Sequence, residues 1–347
     1  GLGREKVYAL GKEMRKMKKR VLSILIIAVL MMIGLAGCGS SAENTELEKV
    51  SFVLDWTPNT NHTGIYVAQE MGYFEEAGLE VEIAQPPEDS SVALVASGKA
   101  DFSISFQDSL APAFVGEDAM PVTAVAAVIQ HNTSGIISRA GEGMDVPKGL
   151  EGHSYATWNG AIELATLEEV VKADGGDFSK VELIPSTVTD EVTALKTDSV
   201  DSIWIFYGWA GVKTELEGVD TDYFEFRDID PVFDYYTPVI IAGNEFLENN
   251  PDTAKAFLEA VSKGYQYAIE NPAEAADILC GAVPELDPEL VKASQEYLAD
   301  QYQAEAEYWG QFDAERWNAF YKWVNDNQLV EGEVPLDTGF TNDYLPQ

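Results

Sequence analysis

Between residues 50 and 242, short apolar runs alternate with amphipathic stretches, and few folds accept that rhythm. The apolar runs predict strands over 50–54, 79–84, 100–105, 122–129, 135–138, 154–157, 181–186, 200–206 and 239–242. Amphipathic segments such as 64–71, 90–97 and 163–173 lie between them and predict helices. Strands alternating with helices imply an α/β fold, here with largely parallel sheets. Beyond Asn249 only helical patterns remain. Asn250-Pro251, Asn271-Pro272 and Asp287-Pro288 each put an Asx residue before a proline. That arrangement predicts three helix starts, with the Asx as cap and the proline at the first helical position, where its missing N–H costs nothing. Phe257, Val261, Tyr265 and Ala268 form one apolar stripe. Tyr302, Tyr308, Trp309, Phe312, Trp317, Phe320, Tyr321 and Trp323 read as helix-packing surface. A chain of 347 residues is long enough for one large or two medium domains.

Charge narrows the partners. The chain carries 22 Lys and Arg against 59 Asp and Glu, a net charge of −37. Residues 1–37 hold eight of the bases and two of the acids, so the remainder has 14 bases against 57 acids, a net charge of −43. Binding nucleic acid depends on neutralising phosphates with Lys and Arg, so a nucleic-acid function is excluded.

The amino-terminal region reads as an address. From Met17 the sequence MKKRVLSILIIAVLMMIGLAGCGSS gives a basic stretch, an apolar run from Val21 to Met32, and small residues ending at Cys38. This is the pattern of a secretory signal. The apolar run is short for a membrane-spanning helix of about 20 residues, and no comparable run recurs downstream. Leu35-Ala36-Gly37-Cys38 resembles the bacterial lipobox, which implies cleavage before Cys38 and its lipidation. Residues 1–37 are thus read as signal and upstream sequence, with 1–16 left out of fold reasoning because Met17 begins a complete signal. Residues 38–49 are read as a lipidated tether, small and polar along Gly39 to Leu47. Cys280, at helical spacing in AADILCGAV, reads as a buried filler.

No catalytic signature stands out. Three histidines, His62, His131 and His153, are present without H-E-x-x-H, a Cys/His cluster, a P-loop or G-x-S-x-G. No catalytic residue, metal or cofactor is expected.

The segment 52–82, FVLDWTPNTNHTGIYVAQEMGYFEEAGLEVE, resembles the opening of the substrate-binding proteins of ABC importers that share a family with the fungal thiamin-pyrimidine synthases. Within that group it is most similar to binders of thiamin-pyrimidine precursors. S-G-K-A-D-F at 97–102, H-N-T-S-G at 131–135, V-D-S-I-W-I-F-Y-G-W at 200–209 and F-T-N-D-Y-L-P at 340–346 extend the resemblance over about 50–346. D-W-T-P-N-T-N-H is its specific part, whereas S-G-K-A-D-F is shared by many importers.

The resemblance implies a two-lobed type II periplasmic-binding-protein fold with ligand between the lobes. Lobe 1 would comprise 50–135 and 235–347, and lobe 2 would be 136–234, with a hinge at the crossings near 132–138 and 228–237. Open α/β sheets bind ligands beyond the carboxyl ends of their strands, which agrees. Trp56, Asn59, Asn61 and His62 then fall on the loop after the first strand. A flat aminopyrimidine needs aromatic faces, for which Trp56, Tyr207, Trp209, Tyr235 and Tyr236 are candidates; a core or rim role is the alternative for each. It also needs in-plane donors and acceptors, for which Asn59, Asn61, Gln107 and Glu163 are candidates. Ser105 to Ser109 and Trp158 to Glu163 follow strands and face the same cleft, although Glu163 at a helix start also suits the helix dipole.

The implied function is a lipid-anchored, extracytoplasmic solute-binding protein, a monomer. It passes a formylaminopyrimidine- or hydroxymethylpyrimidine-type ligand to an ABC permease and its ATPase subunits. Relatives of this fold carrying riboflavin, sulfonates or nitrate keep those ligands open as alternatives. An anion would want a cleft Arg or Lys, and Lys99 precedes its strand. The synthases use a lysine and a histidine after the third strand and a cysteine-rich run later. ISFQDSL at 104–110 and FDYYTP at 233–238 contain none of these, so an enzyme is not expected.

Overall fold

Among the described residues, ten strands form two five-stranded sheets with one plan. The computed structural model describes residues 46–347 apart from Pro87, Asp89 and Thr187, so Cys38 and the segment read above as a signal lie outside the described residues. The first sheet has the order β2-β1-β3-β10-β4, with β1 Glu48–Val53, β2 Leu79–Ala84, β3 Phe102–Ser105, β4 Val122–Ala127 and β10 Val239–Gly243. The second has the order β7-β6-β8-β5-β9, with β5 Ser134–Arg139, β6 Ser154–Thr157, β7 Glu182–Pro185, β8 Ser202–Phe206 and β9 Thr221–Glu225.

The expectation of largely parallel sheets needs one correction. In the first sheet β1 runs parallel to β2 and β3, but β10 is antiparallel to both β3 and β4. In the second, β6 runs parallel to β7 and β8, while β5 is antiparallel to β8 and β9. The reversed strand in each sheet is the one reached directly after the chain passes from the other sheet, between β4 and β5 and again between β9 and β10. Such strands enter without a crossover helix, so nothing forces them parallel. Strand β9 was not anticipated: TDYFE carries acids and lies at an edge, half-buried, so it lacks the apolar run of a central strand.

Both faces of the first sheet are covered. Helix Pro251–Glu270 lays Phe257, Val261, Tyr265 and Ala268, all fully buried, along one face. Phe257 stacks on Phe102 at 4.0 Å between ring centroids. It crosses helix Thr63–Glu70 at two glycines, where a Cβ on Gly264 would lie 1.9 Å from the Gly64 carbonyl oxygen. The opposite face receives Phe312, Trp317, Phe320 and Tyr321, which join Tyr235 and Tyr236 in a second cluster. The carboxy-terminal aromatics are therefore packing surface, with Trp309 stacked on Tyr265 at 4.5 Å. Cys280 is half-buried among Tyr66, Leu279 and Val283, and burial pushes its thiol up.

The three Asx-Pro starts divide. Asp287 caps its helix, accepting from the Glu289 amide at 3.0 Å. Asn250 and Asn271 do not; their carboxamides donate backwards to the carbonyls of Phe246 and Tyr267. Each follows another helix within one residue, so closing the previous helix takes the side chain that the next one would have used.

Candidate functional site

The loop after β1 is folded on a buried histidine. His62 is fully buried at the end of a short helical turn, Thr60–His62, and its Nδ1 accepts the Asn59 amide at 3.2 Å. The ring proton then sits on Nε2, which donates to Asp55 Oδ1 at 2.7 Å. Asn59 closes the other side: its Oδ1 accepts from the Asn61 amide and its Nδ2 donates to the Thr57 carbonyl, both at 2.9 Å. From beneath, the Tyr302 and Tyr265 hydroxyls donate to the carbonyls of Thr60 and Asn61. This network presents Trp56, 56% exposed, together with Asn61, to an open cavity.

The opposite wall comes from the second sheet. Strand β8 ends in Trp204, Ile205 and Phe206, and the chain continues into a wide helical turn, Tyr207–Gly211, with i→i+5 character, a geometry that often marks functional sites. Gly211 permits the turn, since a Cβ there would lie 2.5 Å from the Tyr207 ring. The turn sets Trp209 on the cavity and sends Tyr207 away, between Tyr223 and Tyr297 and hydrogen-bonded to Glu215. Phe106, Ile129, Thr133, Glu191 and Pro238 complete the enclosure, which measures about 370 Å³. Among the described residues lining it there are two acids, Asp55 and Glu191, and no Lys or Arg.

A second cavity of about 800 Å³ shares Trp204 with the first. Trp158, 55% exposed, stands edge-on to Trp204 at 5.3 Å, and Asp108 and Glu163 lie on its wall. Glu163 is buried and fully engaged: it accepts from the Tyr155 hydroxyl and from the amides of Trp158 and Gly160. Asp108 is the opposite case, with Oδ1 buried and unpartnered, and burial pushes its carboxyl up to about 6 against the pull of nearby amides and the Tyr235 hydroxyl.

Of the residues expected at the cleft, Trp56, Asn59, Asn61 and Trp209 line the first cavity, and Trp158 and Glu163 line the second. Five others line neither. His62 is loop framework. Gln107 is fully buried, donating to the Trp317 carbonyl and accepting the Tyr236 amide, both at 2.9 Å, so its carboxamide ties two segments together and does not face the cleft. Tyr235 packs against Phe320 at 4.2 Å in the core. Tyr236 accepts the Asp313 amide and carries the Arg316 guanidinium 4.1 Å above its ring. Tyr207 is turned away as described. Asp55, Glu191, Trp204 and Phe206 were not singled out from sequence. The period-two alternation of β8 puts Trp204 and Phe206 on one face and is the signal that would have found them.

The two passages between the sheets are tied to each other beside this site. Asp234 accepts from His131 Nδ1 at 2.6 Å and from the Asn132 amide at 2.9 Å. Asp234 and Glu305 together hold the His131 imidazole above its usual range, and His131 with Arg316 holds Asp234 below its own. A further tie comes from helix Pro288–Ala299: the Ser294 hydroxyl pairs with that of Thr60 at 2.6 Å and donates to the Gly208 carbonyl.

Residues 59–275 match the family described as NMT1/THI5 like. The formylaminopyrimidine-binding protein of Halalkalibacterium halodurans is 29% identical over 94% of this chain and 99% of its own length. The 4-amino-5-hydroxymethyl-2-methylpyrimidine phosphate synthase THI13 of Saccharomyces cerevisiae is 26% identical over 70% of this chain and 74% of its own. Among solved structures, the periplasmic aliphatic sulphonate binding protein SsuA of Escherichia coli superposes with a TM-score of 0.63 at 14% identity, covering 83% of this chain and 95% of that one. The fold is accordingly α/β, in the two-lobed arrangement of the periplasmic binding proteins.

Proposed function

Because the chain belongs to the NMT1/THI5-like family, we propose that it is the solute-binding component of an ABC importer and captures a thiamin-pyrimidine precursor of the formylaminopyrimidine or hydroxymethylpyrimidine type. The observation that carries this reading is the first cavity itself. It offers Trp56, Trp204, Phe206 and Trp209 as faces for a flat ring, with Asn61 and Asp55 at its edge. Each aromatic pair adds roughly 0.5 to 1.5 kcal/mol beyond burial, and the carboxamide and carboxylate match the amino group and ring nitrogens of an aminopyrimidine. A sulfonate or nitrate has no counter-charge here, since the described lining residues include acids and no Lys or Arg.

A synthase reading is weakened by the same residues. The lysine and histidine that the fungal enzymes use after the third strand have no match in 104–110, where Gln107 is committed to the core. A binding protein releases what it captures, and walls drawn from both sheets let ligand favour a closed state over an open one. The anchor at Cys38 and an extracytoplasmic location complete the proposal. Cell fractionation of Cys38→Ala is expected to lose membrane retention, and unchanged retention would place the anchor elsewhere.

The ligand assignment is tested by a thermal-shift panel of hydroxymethylpyrimidine, formylaminopyrimidine, riboflavin, taurine and nitrate. A pyrimidine at 100 times its Kd is expected to stabilise the fold by about 2.7 kcal/mol. A shift with riboflavin, taurine or nitrate and none with either pyrimidine would sink the reading.

A further inference from the structure

We propose that His131 is a positioning residue of the first cavity: its doubly protonated ring ties the two passages between the sheets together, and loss of one proton loosens the cavity wall and weakens ligand binding. The inference rests on the first cavity being the pyrimidine site, and it names what regulates that site. The surroundings of the ring fix its proton count. Nδ1 lies 2.6 Å from Asp234 Oδ2, and Nε2 lies 2.9 and 2.8 Å from the two oxygens of Glu305. An ionised carboxylate only accepts, so both ring nitrogens donate and the ring is an imidazolium. Asp234 above all, with Glu305, holds His131 above its ordinary value against its partial burial. In return His131 keeps Glu305 below its own, and against burial His131 and Arg316 do the same for Asp234.

A neutral ring has a different partner waiting. Arg316 Nη1 stands 3.1 Å from Nδ1 and 3.6 Å from the same Asp234 oxygen. Once Nδ1 loses its proton it becomes an acceptor, so it repels Asp234 and takes a hydrogen bond from Arg316, while Nε2 keeps its proton on Glu305. The Asn132 amide keeps its bond to Asp234 Oδ1, so the passages loosen without parting. The other charged groups around the cluster leave it negative. Glu225 and Arg227, paired at 2.7 Å, act on Asp234 from the end of β9, and Glu307 and Asp313 share a surface recess with Glu305 and Arg316. Both passages run from this cluster into the cavity wall. Ile129 and Thr133, two residues to either side of His131, line the first cavity, as do Thr237 and Pro238 shortly after Asp234. The Thr133 carbonyl also accepts the Tyr207 amide at 3.2 Å, where the turn carrying Trp209 begins. A shift of Asp234 away from His131 is therefore felt at the ligand.

Calorimetry with hydroxymethylpyrimidine from about pH 6 to about pH 9.5 tests this, read beside the NMR titration of the His131 ring. Wild-type affinity is expected to fall about fivefold as pH rises through the His131 midpoint, and saturating ligand should raise that midpoint by the matching amount. His131→Gln has no such proton to lose and should show no such step, although it retains the titrations of the ligand and of Asp108. Its melting temperature verifies the fold. Glu305→Gln, at a largely exposed position, should move the step to lower pH, and it carries the test if His131→Gln does not fold. An affinity that falls no more steeply in wild type than in His131→Gln, a step left in place by Glu305→Gln, or a His131 midpoint unmoved by ligand would each overturn the role of His131 and leave the pyrimidine site standing. If neither hydroxymethylpyrimidine nor formylaminopyrimidine binds at any of these pH values, the pyrimidine reading fails and the role of His131 with it.

Discussion

The loop Asp55–His62 and the turn Tyr207–Gly211 each deliver one tryptophan to the same cavity, and they are built in opposite ways. The loop is a polar structure. Its carbonyls and amides are answered one by one by His62, Asn59, Tyr265 and Tyr302. The turn relies on what is missing from it: Gly208 and Gly211 let the backbone close against Leu298 and the Tyr207 ring. Polar residues crowding a binding motif therefore need not touch ligand, because a loop that leaves a sheet must satisfy its own backbone first. A wall made by glycine needs no such residues, and its motif looks plain in sequence.

Several substitutions separate framework from face. The largest effect is expected at His62. His62→Ala removes the acceptor for the Asn59 amide and the donor to Asp55, so about 3 kcal/mol of stability should be lost, with ligand affinity falling alongside. A denaturation midpoint equal to that of wild type would mean the loop stands without its histidine.

Asp108 calibrates this from outside both regions, as a buried carboxylate with one oxygen left without a partner. Its pKa in the folded protein, about 6, is raised above the ordinary carboxylate value. Its contribution therefore favours the fold fully only below that ordinary value and is lost as pH rises through about 6. At pH 7.5 the ionised group should cost on the order of 2 to 3 kcal/mol. Asp108→Asn is accordingly expected to be more stable than wild type at pH 7.5, with the gap closing toward pH 4. A gap that is the same at both pH values would show that ionisation of Asp108 is not its source.

Gly211→Ala comes next, at about 2 kcal/mol, since the added methyl meets the Tyr207 ring between its two tyrosine neighbours. Crystallography or fluorescence of Trp209 should register a displaced turn; an undisturbed Trp209 would remove the glycine from its assigned part. The smallest effects belong to the faces. Trp56→Ala and Trp209→Ala should each weaken pyrimidine binding about tenfold, or 1.4 kcal/mol, and the exposed Trp56 should do so with no change in melting temperature. Unchanged affinity by calorimetry would take the residue out of the site.

Nine of the ten strands described were legible as apolar runs bounded by turn residues, the direct imprint of a buried strand in most of them, although β7 is an exposed edge. Their directions were not, because a buried strand reads the same both ways, and β5 and β10 run against their neighbours. In the site, the loop motif led to Trp56, Asn59 and Asn61 at the cavity. Gln107 follows β3 as a binding residue would, and the carboxamide that would suit a pyrimidine equally suits the Tyr236 amide and the Trp317 carbonyl. The Tyr235-Tyr236 doublet shows the same ambiguity. Aromatics near a cleft and aromatics closing a core have one composition, and only the packing of Phe320 and Arg316 tells them apart.

Ser294 bears on how such a molecule can move. Two passages of chain define an axis, and a body joined to another at two points keeps one rotational freedom about the line between them. The Ser294 hydroxyl, bonded at once to Thr60 on the first loop and to Gly208 on the opposite turn, is a third point off that line. Three points remove the rotation altogether unless one of them yields. Any swing of the second sheet toward the first must therefore either carry Gly208 along an arc centred near Ser294 or exchange that bond, together with the packing of Tyr207 on Tyr297 and of Gly208 on Leu298 beside it.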